Sequence, residues 1–158
     1  MTDRELEKAL EIHRGSVYRL AVSYLKNAAD SEDITQEAFI KLYMRRSPFE
    51  DDDRTRAWLL RVTANLCKNR LRSPWRKRRC DMPEELPEAA GISPQERQEL
   101  KSALESLSPE NRAVIYLFYY EGLSAEMTGK ALGLSVTAVT SRLQRSREAM
   151  KKFLSEDE

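Results

Sequence analysis

The sequence predicts an all-α fold of two small helical domains joined by a linker, the C-terminal one a helix-turn-helix. Three observations carry that expectation. Apolar residues recur three or four apart through most of residues 3–72 and again from Leu100 onward, and no stretch alternates with the period of two that a half-buried strand requires. Between Ser73 and Pro94 the periodicity is broken by Pro74, Pro83, Pro87, Pro94 and Gly91. Beyond the break, "TGKALGLSVTAVTSRLQRSR" (residues 128–147) sets Gly129 and Gly133 four apart between two helical patterns. Each glycine costs roughly 1 kcal/mol in a helix, so the pair marks a place where backbone geometry is worth more than propensity.

The first four helices are expected over residues 3–13 (Leu6, Leu10), 16–26 (Val17, Leu20, Ala21, Tyr24), 31–46 (Ile34, Ala38, Leu42) and 55–72 (Trp58, Val62, Leu66). Asp30 or Ser31 and Thr55 are suitable N-caps for the last two. The first domain is then residues 1–73, and 74–95 form a linker with a basic start and an acidic remainder. In the second domain, 96–158, Leu100, Leu104 and Leu107 mark one helix, and Ser108-Pro109 opens another carrying Val114, Ile115, Leu117 and Phe118. Ser124–Leu132 reads as the next, and Ser135 caps a last helix with Val139, Leu143, Met150 and Phe153 along its apolar face.

A short helix, a glycine-containing turn and a longer basic helix make a helix-turn-helix, whose second helix enters the DNA major groove. Gly133 is expected to end the first helix in the left-handed conformation, and Gly129 to remove a side chain where the two helices cross most closely. With Val139 and Leu143 turned inward, Thr137, Ala138, Thr140, Ser141, Arg142, Gln144 and Arg145 face solvent or DNA. Arg and Gln can read guanine and adenine edges bidentately, and hydroxyls can bind phosphate.

Composition narrows the function. The 158 residues are 41% hydrophobic, enough for modest cores. There is no apolar run of membrane-spanning length and the N-terminus is charged from its third residue, so neither membrane insertion nor a signal peptide is expected, and the chain reads as cytoplasmic. Cys67 and Cys80 have no ligand spacing with His13, the single histidine, so they are read as free thiols and neither metal nor cofactor is expected. No nucleophile–base grouping argues for an enzyme. The net charge of +1 hides segregation: residues 61–80 carry Arg61, Lys68, Arg70, Arg72, Arg76, Lys77, Arg78 and Arg79 without an acid, 81–110 are mainly acidic, and 130–152 are basic again. Such blocks imply separate surfaces.

The C-terminal stretch "ALESLSPENRAVIYLFYYEGLSAEMTGKALGLSVTAVTSRLQRSREAMKKFL" resembles the −35-binding region 4 of bacterial extracytoplasmic-function (ECF) sigma factors, through Leu107, Pro109, Arg112, Gly122-Leu123-Ser124, Leu132-Gly133, Ser135, Val139, Ser141-Arg142-Leu143 and Arg145. The resemblance implies that Thr137 to Arg145 contact the −35 element. Thr128 stands where that pattern has a branched aliphatic, Met127 where it has an acid and Thr140 where it has a lysine. A hydroxyl at Thr128 can return a hydrogen bond to the Ser124 carbonyl, but it packs worse than isoleucine.

Upstream, "DSEDITQEAFIKLYMR" resembles the region 2 helix that docks on RNA polymerase, with Asp30, Asp33, Gln36, Glu37 and Phe39 at matching places. "RTRAWLLRVTANLCKNRLRSPWRKRR" is similar to the following −10-reading segment, matching Arg56, Trp58-Leu59, Val62, Asn65 and Arg72. Arg61, Asn65, Lys68, Asn69 and Arg72 recur on one helical face, surrounding an amide that can bond a base edge with phosphate-binding cations, and Arg76, Lys77, Arg78 and Arg79 extend the basic run. Trp75 is either a stacking platform for a base or an exposed or linker-packed residue. The loop "RRSPFEDDD" (45–53) lies where the family holds a flipped −10 base, and its acids Glu50 to Asp53 either face away or edge that pocket. The resemblance implies a sigma factor whose partners are core RNA polymerase, promoter DNA and an anti-sigma factor. Two other readings compete: a stand-alone helix-turn-helix regulator that binds duplex DNA as a dimer, and an RNA-binding protein using residues 61–80.

Overall fold

The computed structural model describes residues 1–45, 49–73 and 93–156, with side chains through Lys151. Among these it is all-helical: α1 (Asp3–Leu25), α2 (Ala28–Tyr43), α3 (Asp52–Arg72), α4 (Pro94–Glu105), α5 (Pro109–Ile115), a π-helical segment (Tyr116–Tyr120), α6 (Ala125–Leu132) and α7 (Val136–Glu156).

The expected helices 3–13 and 16–26 are one helix. Thr2 and Glu5 close a reciprocal capping box at its start, and the chain runs through Gly15 to a left-handed C-cap at Lys26 (φ 52°). One glycine does not stop a helix anchored on both sides by buried residues, here Ala9 and His13 before it and Val17 and Leu20 after. The next two helices also start earlier than expected. Asn27 caps α2 through Asp30 N, and Asp51 caps α3 through Arg54 N. Four acids in a row thereby acquire a local role: Asp51 is the cap, Asp52 and Asp53 lie in the positive first turn, and Arg54 pairs with Glu50 (4.0 Å) and Asp51 (3.8 Å).

The C-terminal elements follow the reading more closely. Ser108 caps α5 with Pro109 in its first turn, Ser124 caps α6, and Ser135 Oγ accepts from Ala138 N at the start of α7 (3.1 Å). The π-helical turn, which widens the helix after α5, was not foreseen.

Among the described residues two large apolar clusters organise the interior, beside a small one of Val22 with Tyr18 and Leu104. Ala9, Val17, Ala38, Phe39, Leu42 and Leu59 fill the space between α1, α2 and α3. The other large cluster belongs to neither half alone: Leu20, Tyr24, Leu25, Leu60 and Cys67 pack with Val114, Leu117, Leu132, Val139 and Leu143. Helix α1 lies against α5 and α3 lies against α6, so the halves expected to have separate cores share one.

Candidate nucleic-acid interface

The turn between α6 and α7 has the predicted glycine geometry. Gly133 has φ 73°, in the left-handed region, and its amide closes the helix on Gly129 O. A Cβ on Gly129 would press on the Leu134 carbonyl oxygen and lie 3.5 Å from Val139 Cγ2, so only a hydrogen there lets α6 and α7 cross as they do. Thr128, beside it, is fully buried. Its amide bonds to Ser124 O (2.8 Å), but its hydroxyl has no hydrogen-bond partner, so the return bond open to it is not made.

Val139, Leu143 and Ser146 are the buried side of α7. Thr137, Thr140, Gln144 and Arg145 are exposed, whereas Ala138, Ser141 and Arg142 are half-buried. Arg142 Nη1 donates to Asn111 Oδ1 (2.9 Å), which fixes this guanidinium against α5. Arg147, which the sequence reading left out, donates to Tyr119 Oη and lies over its ring (5.4 Å to the centroid).

On α3, Leu59, Leu60, Thr63, Ala64 and Cys67 are buried, and Arg61, Asn65, Asn69 and Arg72 form an exposed stripe of three- and four-residue spacing. Lys68 departs from the expected face. Its ammonium donates to Leu132 O at the end of α6 and lies 3.9 Å from Glu110 Oε1. Arg76, Lys77, Arg78 and Arg79, with Trp75 and Cys80, lie outside the described residues, as do 46–48 of the acidic loop. At that loop's ends Arg45 stacks on Phe49 (4.1 Å) and Trp58 (5.1 Å).

The seam between the halves is polar as well as apolar. Arg112 is buried and donates to the carbonyls of Ser23 (2.6 Å) and Tyr24 (3.2 Å) in the last turn of α1, and to Leu107 O. These α1 oxygens have no intrahelical donor, and a cation suits the negative end of the helix. Tyr24 Oη donates to Glu110 Oε2 (2.8 Å), and burial beside that carboxylate raises the phenol's pKa. Arg19 donates to Tyr116 Oη (3.1 Å), which donates to Glu121 Oε1 (2.6 Å), and Arg56 lies 3.5 Å from Glu121 Oε2.

On α2, Asp33, Gln36 and Glu37 are exposed, and Asp30 is half-buried against Arg70 (3.1 Å). Phe39 is a correction: it sits in the α1–α2–α3 core, because its spacing matches Leu42 and not Glu37. The exposed stripe from Asp33 and Glu37 continues instead through Ile40 and Met44, 57% and 75% exposed, a seven-residue repeat legible in the sequence but passed over.

Two helical faces of the kind that read DNA, on α3 and on α7, thus occur in one chain. Residues 10–77 match the family described as Sigma-70 region 2, and residues 97–150 match Sigma-70, region 4. The sigma-E factor of Streptomyces coelicolor is 30% identical, over 95% of this chain and 86% of its own length. The chain belongs to the ECF sigma factors. SigW of Bacillus subtilis is 29% identical over 92% of this chain and 86% of its own length. SigE of Mycolicibacterium smegmatis, an ECF sigma factor, is 34% identical over 90% of this chain, which spans 58% of that longer protein. In fold, the chain matches the sigma factor RpoE solved in complex with the anti-sigma factor NepR from Bartonella quintana (TM-score 0.78, 22% identity, 98% of this chain and 99% of that one). It also matches CnrH in complex with the cytosolic domain of CnrY (TM-score 0.69, 27% identity, 99% and 92%).

Sigma factors are non-enzymatic initiation factors that bind core RNA polymerase and direct it to promoters. No described helix of this sigma factor is long and apolar enough to cross a membrane.

Proposed function

We propose that this sigma factor reads the −10 element with the exposed face of α3 and the −35 element with that of α7. The carrying observation is that two polar, solvent-facing stripes, Arg61-Asn65-Asn69-Arg72 and Thr137-Thr140-Gln144-Arg145, stand in the order of the two matched regions. Asn65 supplies a base-edge contact, and the surrounding cations, with Arg76, Lys77, Arg78 and Arg79, supply phosphate contacts. Asp33, Gln36 and Glu37, continued by Ile40 and Met44, form the polymerase-docking stripe of α2, with Asp30 at its edge. The working units are 1–73 and 96–158, linked by 74–95, and the protein acts in the cytoplasm. An anti-sigma factor controls it, a reading supported by the NepR complex of its structural relative.

Holoenzyme binding to promoter DNA tests the division of labour. Asn65→Ala is expected to cost about 1–3 kcal/mol on the preferred −10 sequence and much less on a mutated one, because a base contact is lost only where its base is present. Equal weakening on both sequences would refute base reading by Asn65.

A further inference from the structure

We propose that Glu110 and the helix-turn-helix turn act as an internal substitute for promoter phosphate, holding Lys68 so that the closed chain cannot place it on −10 DNA. The inference rests on α3 being the −10 helix and adds a regulation of that site.

Lys68 is offered two oxygens by the opposite half of the molecule. One is the Leu132 carbonyl, at the negative end of α6, to which the ammonium donates. The other is Glu110 Oε1 at 3.9 Å, with both side chains only about a quarter exposed (23% and 22%). Glu110 is itself positioned, since its other oxygen accepts from Tyr24 Oη (2.8 Å), and it lies in the first turn of α5. Gly133 leaves the seat open: a Cβ there would lie 3.7 Å from the Lys68 ammonium. A carbonyl and a carboxylate therefore take the cation that a phosphate oxygen would take.

The same packing obstructs the rest of the face in part. Arg61, from the exposed stripe of α3, lines a groove of about 810 Å³ whose other wall is Lys130, Gly133 and Leu134 of the helix-turn-helix. DNA following α3 meets that wall. Separating α3 from α6 frees Lys68 and opens the groove in one movement, so availability of the −10 face is coupled to the position of the −35 domain.

The test uses the full chain and Glu110→Gln, which keeps an acceptor for Tyr24 while removing the charge facing Lys68. Binding of the free protein to a fluorescein-labelled single-stranded oligonucleotide of mixed sequence is measured across salt concentrations, with amide exchange followed in α6. Glu110→Gln is expected to bind several-fold more tightly, with a log–log salt slope steeper by about 0.7, the increment for one more phosphate neutralised on a single strand. Exchange in α6 is expected to rise, and adding Lys68→Ala to abolish the gain in binding. Unchanged affinity, slope and exchange in Glu110→Gln overturn the proposal, as does a gain that survives Lys68→Ala. Holoenzyme carrying Lys68→Ala alone reads the underlying assignment. Unchanged promoter binding there removes Lys68 from the −10 contacts, whereas weakened promoter binding with no gain from Glu110→Gln refutes the latch and leaves the −10 reading standing.

Discussion

Helices α3 and α7 are each 21 residues long, and each carries a buried side and a polar exposed stripe, yet they meet the rest of the molecule differently. The stripe of α7 proposed to read DNA points to solvent, with Thr137, Thr140, Gln144 and Arg145 uncovered. That of α3 has Lys68 tied to α6 and Arg61 in a groove. A helix can therefore have the composition of a DNA reader and still be partly withheld, because availability is set by what packs beside it.

The largest expected effect comes from dissolving that seam. Arg112→Ala removes a buried cation and leaves the carbonyls of Ser23, Tyr24 and Leu107 unpaired or wet. Hydrogen bonds to charged groups contribute about 1.5–3 kcal/mol each, so a loss on the order of 3 kcal/mol is expected in urea unfolding. Amide exchange should rise at the end of α1 and in α5 together. If exchange rises in α5 alone, Arg112 belongs to the second half only and does not join the two.

Gly129→Ala attacks α7 without touching α3. The added methyl meets the Leu134 backbone carbonyl, which cannot yield as a flexible side chain would, and a loss of about 2 kcal/mol is expected by thermal or urea unfolding. A neutral substitution would show that α6 and α7 can slide apart at little cost, and would weaken the contrast between a firmly seated α7 and an α3 whose proposed DNA face is partly covered.

Thr128→Val sharpens the comparison from the other side. It keeps the shape of a fully buried residue and removes a hydroxyl with no partner, so stability should increase by about 1 kcal/mol. A decrease would mean that the hydroxyl is satisfied in solution.

The smallest effect concerns His13, buried on α1 with Nε2 unpartnered and with Asp52, Arg56, Glu121 and Asp53 around it. Burial, the largest influence, lowers its pKa below the ordinary 6.5. The unfolded chain then takes a proton that the folded chain resists, so stability should decline as pH falls from about 6.5 toward the folded pKa and be unaffected by this group above about 6.5. His13→Gln should flatten that decline in unfolding measured at successive pH values; a slope as steep as wild type would assign the acid sensitivity elsewhere.

Much of the C-terminal half was legible in advance because its signals are local. Ser108-Pro109 and Ser135 are helix starts read from one residue and its neighbours, and Gly133 marks a left-handed turn that few other residues tolerate. The N-terminal half was read less well where two local signals competed. The break expected between residues 13 and 16 does not occur, because burial on both sides carries α1 through Gly15, and Asn27 and Asp51 outcompeted the caps expected three or four residues later. On the candidate site, the exposed members of both stripes follow from helical spacing, whereas Phe39 matches the family's docking position and yet is buried, since it lies one turn from Leu42.

The sequence by itself determined the helical class, the two glycines of the turn and the exposed stripes of α3 and α7, since these depend on backbone preference and on a period of 3.6 residues. Only the tertiary structure decided that the two halves share a core, that Arg112 caps α1 from across the seam, and that Lys68 faces Glu110 and Leu132 instead of solvent. Those pairings join residues far apart in the chain, where side-chain spacing carries no information and apolar burial selects which surfaces meet.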